Sequence, residues 1–203
     1  QSESRIIDEG RIVTWEELEE LRIELGVEPG RTLVDIAFDT QAVQEVCVRY
    51  GWQGLWGDST NRREFPHHEN FNGQRIVRKY PFSSVNVGHV GIGKGGKVRQ
   101  ARYFFWAQQP IKNMYHRMRG GMSTYKFTAP QNVSVEYQKQ TAVEFKRQEV
   151  DRSGQKRWSW TVQKGKANHL LDCDQMCLVS ALLDARLRSV LFTTGEVEIE
   201  ETP

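Results

Sequence analysis

Two aspartates stand where this sequence could do chemistry. Asp35 closes a short apolar run in the stretch TLVDIAFDT, and Asp172 opens the helical stretch NHLLDCDQMCLVSALL at 168–183. A carboxylate at the C-terminal end of a parallel strand lies where open α/β sheets bind their ligands. A carboxylate in the first turn of a helix is favoured by the helix dipole. Two such groups suit a hard divalent cation such as Mg2+, which takes one or two carboxylates and keeps its waters. With a polyanion as substrate, that chemistry is metal-assisted phosphodiester hydrolysis. Each residue also has a plainer reading: Asp35 as a turn or cap residue, Asp172 as a helix-start acid. Asp174 lies two residues beyond Asp172, about 200° further round a helix, so the two cannot face one site, and one of them is expected to be a solvated acid. His169 reads as a cap neighbour or a site residue. His67 and His68 fall in a loop too polar for core and without partner spacing for a metal.

A polyanion is the partner that the charge pattern favours. The net charge is only +2, but residues 70–135 contain no Asp or Glu while carrying eleven Lys and Arg; the first thirty residues carry nine acids against three bases. A basic middle between acidic ends is the layout of a polyanion-binding surface with solvating flanks. The DNA-contacting candidates are Lys94, Lys97, Arg99, Arg102, Lys112, Arg117 and Arg119. GIGKGGK at 91–97 lacks the spacing of a phosphate loop, which argues against nucleotide binding.

Residues 1–203 are expected to form a single α/β domain with a frayed tail at 191–203. Hydrophobic residues at 38% and charged ones at 27% argue against a disordered chain. No apolar run is long enough to span a membrane, and no signal peptide is expected at the start. Cys47, Cys173 and Cys177 read as buried free thiols in a reducing compartment.

These residues must be positioned by a few elements. Thr14 with Glu17 forms a capping box for a helix ending at Gly26. The spacing then predicts a strand ending near Asp35, a helix over 40–50 and a strand at 53–56, which together make a βαβ unit and a partly parallel sheet. Short strand pieces are expected within 6–13, a polar loop over 57–73, a strand and turn over 86–97, and a strand at 102–106. Helices are expected over 109–118, 137–147 and 169–190, with a half-exposed edge strand at 157–162.

DIAFDTQAVQEVC (35–47) resembles a strand-end motif of the large terminase subunits of lambda-like tailed phages: an Asp, a short loop, a Thr and a helix carrying Val and Cys. NHLLDCDQM resembles that family's C-terminal signature. ARYFFWAQQPIKNMYHRM and RIIDEGRIVTWEELEEL resemble its intervening and preceding segments, so the resemblance covers most of the chain in the family's order. It implies a ribonuclease H-like mixed sheet flanked by helices and a nuclease that cuts double-stranded DNA with Mg2+ or Mn2+. Asp35 and Asp172 would be its catalytic and metal-binding acids. The implied partners are the terminase ATPase domain, the small terminase subunit and the portal, in the host cytoplasm. Two departures stand out. The family's first strand, bearing a further catalytic Asp, is not found here, with Asp8 a weak stand-in, and the packaging ATPase is absent. The competing expectations are a non-catalytic DNA-binding or assembly module of the same fold, and a non-viral ribonuclease H-like enzyme.

Overall fold

A computed structural model describes residues 3–6, 8–58, 60, 64–71, 73–93, 97–123, 126–150, 154–184 and 198–199. The elements run β1 (Glu3–Arg5), α1 (Trp15–Glu24), β2 (Leu33–Asp35), α2 (Thr40–Tyr50), β3 (Gln53–Asp58), β4 (Phe65–Phe71), β5 (Gln74–Tyr80) and β6 (Asn86–Ile92). They continue as β7 (Val98–Ala107), α3 (Gln108–Arg119), β8 (Lys126–Thr128), α4 (Val135–Thr141), β9 (Glu144–Val150), β10 (Lys156–Val162), α5 (His169–Leu183) and β11 (Glu198–Ile199). The chain divides into two compact units, one of residues 1–11 and 109–178, the other of residues 12–108 and 179–203.

The second unit holds the mixed sheet. Its strand order is β2-β3-β7-β6, with β2, β3 and β7 parallel and β6 antiparallel to β7. With helices packed beside it, this is an α/β arrangement compatible with a ribonuclease H-like fold. The βαβ unit forms because α2 carries an apolar stripe: Val43, Val46 and Cys47 are buried in one cluster with Val34, Ile36, Trp52 and Ala101. Gly51 ends α2 at φ 76, a left-handed conformation that favours glycine. Sheet and neighbour approach closely at Gly54, where a Cβ would sit 2.6 Å from Ile36 Cγ2. The capping box of α1 is present, with Thr14 and Glu17 each accepting from the other's backbone N–H. That helix buries no residue completely, but Trp15 meets Trp52 edge-on at 6.3 Å and Glu19 accepts from Trp52 Nε1 at 3.1 Å.

Several expectations are corrected here. Residues 6 and 8–13 form no strand; among the described residues the strand near this end is β1, paired in parallel with β8. The supposed polar loop over 57–73 contains β4, which pairs along its length with β5 in an antiparallel hairpin. Phe65 and His67, alternating on one strand, and Ile76, Val77 and Tyr80 on the other supply a buried set that polar neighbours obscured. His67 is core, not loop: it is 9% exposed, its Nε2 lies 2.7 Å from the Phe82 carbonyl oxygen, and its ring meets Tyr80 and Phe82 edge-on. Glu198 and Ile199 of the expected frayed tail pair with β5.

In the first unit, the helix expected over 137–147 stops at Thr141, and Glu144–Val150 is strand β9, paired antiparallel with β10. The charged run EFKRQEV is compatible with a helix, but cross-strand pairing overrides that weak preference. Ile111, Tyr115, Met118, Phe127, Tyr137, Leu171 and Leu178 are the large buried apolar and aromatic side chains of this unit. The described part of the last helix ends at Leu183, and residues 185–190 of the expected helix lie outside the described residues. No helix among the described residues is long and apolar enough to cross a membrane.

Candidate functional site

Asp35 is the last residue of β2 and is exposed, at the C-terminal end of a strand parallel to β3. The chain leaves the sheet through a turn built by short polar side chains. Asp35 Oδ1 accepts from Ala37 N–H at 2.9 Å, Thr40 Oγ1 donates to the Ile36 carbonyl at 2.8 Å, and Asp39 caps α2 by accepting from Ala42 N–H at 3.3 Å. The turn residue and the candidate ligand are therefore one side chain: a single oxygen orients the carboxyl while the group faces solvent.

Asp172 lies in the first turn of α5, half-buried, and both of its oxygens accept from Asn168 Nδ2 at 2.9 Å. Asn168 precedes the helix and its carbonyl accepts from Asp172 N–H at 2.9 Å, so it occupies the cap position. Asp35 and Asp172 belong to different compact units. Their donors are carboxylate oxygens, which is the chemistry a hard divalent cation takes. Among the described residues no group of three His, Cys, Asp or Glu is gathered to hold a metal ion.

Asp174 turns out to be neither solvated nor near Asp172 on the helix surface. It is 5% exposed, and its Oδ2 accepts from the hydroxyls of Tyr115 and Tyr137, each at 2.6 Å. Burial pushes its pKa up, opposed by the two tyrosine hydrogen bonds, and burial together with Asp174 pushes both tyrosines far above their ordinary value. Arg119 joins the group, donating to Tyr115 Oη at 3.1 Å and to the Thr141 carbonyl at 3.2 Å. The amide of asparagine can still accept from tyrosine; alanine leaves two buried hydroxyls without their acceptor. Asp174→Asn is therefore expected to stay within about 1 kcal/mol of the parent at neutral pH, and Asp174→Ala to lose roughly 2–4 kcal/mol. Urea unfolding of the two variants checks this, and equal losses would rule out the acceptor role.

A second polar cluster in the same unit was invisible in the sequence. Glu144, buried at the start of β9, binds the Lys112 ammonium through Oε1, while Oε2 lies 2.8 Å from His116 Nε2 and accepts from Gln175 Nε2 at 3.1 Å. Burial alone would raise the Glu144 pKa, but the hydrogen bonds from His116 and Lys112 outweigh it and hold the carboxyl below its usual range. The only local hint is the one-turn spacing of Lys112 and His116; their partner lies 32 and 28 residues further on. The neighbouring Trp160 stacks on His116 at 3.7 Å and donates through Nε1 to Asn113 Oδ1 at 2.9 Å.

These contacts revise the expected DNA surface. Lys112 is 8% exposed, and its charge is held by Glu144, not offered to solvent. A long basic side chain on an amphipathic helix can turn either way, and the buried acid decides it here. Arg119 is exposed, with Nη1 donating to Tyr115 Oη and to the Thr141 carbonyl. Lys97, Arg99, Arg102 and Arg117 are exposed, and Lys94 lies outside the described residues. Of the three free cysteines only Cys47 is buried, with burial raising its pKa to about 11; Cys173 and Cys177 are exposed. Comparison with protein-family models, curated proteins and solved structures finds no match.

Proposed function

We propose that the chain is a metal-dependent endonuclease domain of a viral DNA-packaging terminase, cutting double-stranded DNA by phosphodiester hydrolysis. The observation that carries this reading is Asp35, an exposed carboxylate at the C-terminal end of a parallel strand, oriented through one oxygen by Ala37 N–H. Open α/β sheets put reactive groups at that end. The family resemblance makes Asp172, aligned by Asn168 in the first turn of α5, the other acid of this reading. Mg2+ or Mn2+ suits such donors and, when bound, supplies an activated water and charge stabilisation for the departing oxygen. Exposed Lys97, Arg99, Arg102 and Arg117 neutralise backbone phosphates without reading bases. On the same reading the chain works in the host cytoplasm with the terminase ATPase domain, the small subunit and the portal.

The test is nicking of supercoiled plasmid in Mg2+, Mn2+ or EDTA by the parent chain and by Asp172→Ala. Nicking that needs metal and disappears in the variant is the expected result. DNA that is bound in a salt-sensitive way yet remains uncut with every metal would assign the chain instead to a non-catalytic DNA-binding module.

A further inference from the structure

The β9–β10 hairpin forms a two-stranded sheet of its own. Such a ribbon is marginal in water unless something holds it, and here its base is held. Gln109 zips the outer edge of β10: its Oε1 accepts from Trp160 N–H at 2.8 Å and its Nε2 donates to the Trp160 carbonyl at 3.1 Å. The Trp160 ring is fixed by His116 and Asn113, and buried Glu144 closes the base.

Register places Lys156, Trp158 and Trp160 on one face, across from Val150, Gln148 and Lys146. Beyond the clamp this face has no acid among the described residues. Trp158 is 64% exposed and Val150 63%, with Lys156 beside Trp158 along the strand and Lys146 diagonal to it. On the opposite face Arg147 pairs with Glu149 at 2.8 Å, so charge is partly balanced there and unbalanced on the tryptophan face.

We infer that the outer half of this hairpin is a contact for unpaired nucleic acid, with Trp158 stacking on a base while Lys146 and Lys156 hold adjacent phosphates. An exposed indole between cations matches the two needs of a single strand, a π-face and a neutralising charge. Bases in an intact duplex are covered by their neighbours and offer this face only phosphates. The clamp at Trp160 supplies the rigidity that makes such a platform effective, since the ribbon is ordered before the strand arrives. The site lies outside the acid-free window and does not depend on the endonuclease reading.

Fluorescence anisotropy in EDTA tests this with three probes: a labelled thymidine oligonucleotide, its abasic counterpart and a blunt duplex. EDTA silences metal-dependent cutting, so failure of the endonuclease reading leaves this measurement intact. Trp158→Ala is expected to bind the thymidine probe about 5- to 150-fold more weakly, with its affinity for the abasic probe and the duplex nearly unchanged. Trp158→Phe is expected to keep most of the affinity, and Lys146→Ala combined with Lys156→Ala to weaken all three probes and reduce the salt dependence. Circular dichroism should show Trp158→Ala folded, because the ring it removes is mostly in solvent. Unchanged affinity of Trp158→Ala for the thymidine probe, or an equal loss on the abasic probe, overturns the assignment. So does a parent chain that prefers polyglutamate to the oligonucleotide, which would assign the face to an acidic protein.

Discussion

Replacing Glu144 by alanine is expected to destabilise the chain by about 3–5 kcal/mol, because it breaks a buried ion pair and leaves the other charge behind. The Glu144 side chain is inaccessible to solvent, and those of Lys112 and His116 are 10% and 19% exposed. Without the carboxylate, the Lys112 ammonium has lost its counter-charge, and Gln175, whose Oε1 already lacks a partner among the described residues, loses the acceptor of its Nε2. Replacing both charges together should restore the part of the loss that comes from the unpaired ammonium: Glu144→Leu with Lys112→Met exchanges the pair for apolar groups of similar size, while His116 and Gln175 still lack the Oε2 acceptor. Urea denaturation measures both variants. A Glu144→Ala chain within 1 kcal/mol of the parent would mean that the cluster is hydrated and weak.

The same carboxylate sets a pH dependence. Glu144 is held below its unfolded-state value, so its stabilisation is complete above the usual carboxylate range and is lost as pH falls through the depressed folded value. Asp174 runs the other way. Its folded value is raised, so its contribution is present at low pH and is lost as pH rises through that value. Asp174→Asn removes the second dependence and leaves the first, so the variant should gain on the parent as pH rises.

Asp35→Ala is expected to lower metal-dependent plasmid nicking by roughly 100- to 1,000-fold, the equivalent of several kcal/mol of transition-state stabilisation. The fold should survive, because the side chain is exposed and its hydrogen bond among the described residues is the turn bond from Ala37. That bond is worth about 1 kcal/mol. Asp35→Asn separates the two roles: its amide oxygen can still accept from Ala37 N–H, so the turn is kept while the charge is removed. A comparable loss of nicking in both variants assigns the effect to the charge. Asp39→Ala serves as the control, since that residue caps α2, and its loss should cost about 1 kcal/mol of stability with little change in nicking. Equal nicking by the parent and Asp35→Asn would remove Asp35 from the chemistry.

What the sequence by itself determined lies where local physics is enough. The capping box at Thr14, α2 with its buried Val43, Val46 and Cys47, the stop at Gly51 and the parallel β2–α2–β3 unit all follow from caps, glycine and period, read element by element along one continuous stretch of chain. Asp35 was placed at its strand end by the same reading. Tertiary structure alone decided the rest. The β4–β5 hairpin depends on partners across a turn, and polar neighbours such as His68 and Glu69 hid its buried set. Strand β9 looked helical until β10 paired with it. The fates of Asp172 and Asp174 differ because one meets a cap asparagine and the other two tyrosines from distant helices. Lys112 carries the same charge as Arg117, yet only Lys112 meets a buried glutamate 32 residues away. A charge declares its sign in the sequence; whether it faces water or a counter-ion is set by long-range contacts that no local pattern encodes.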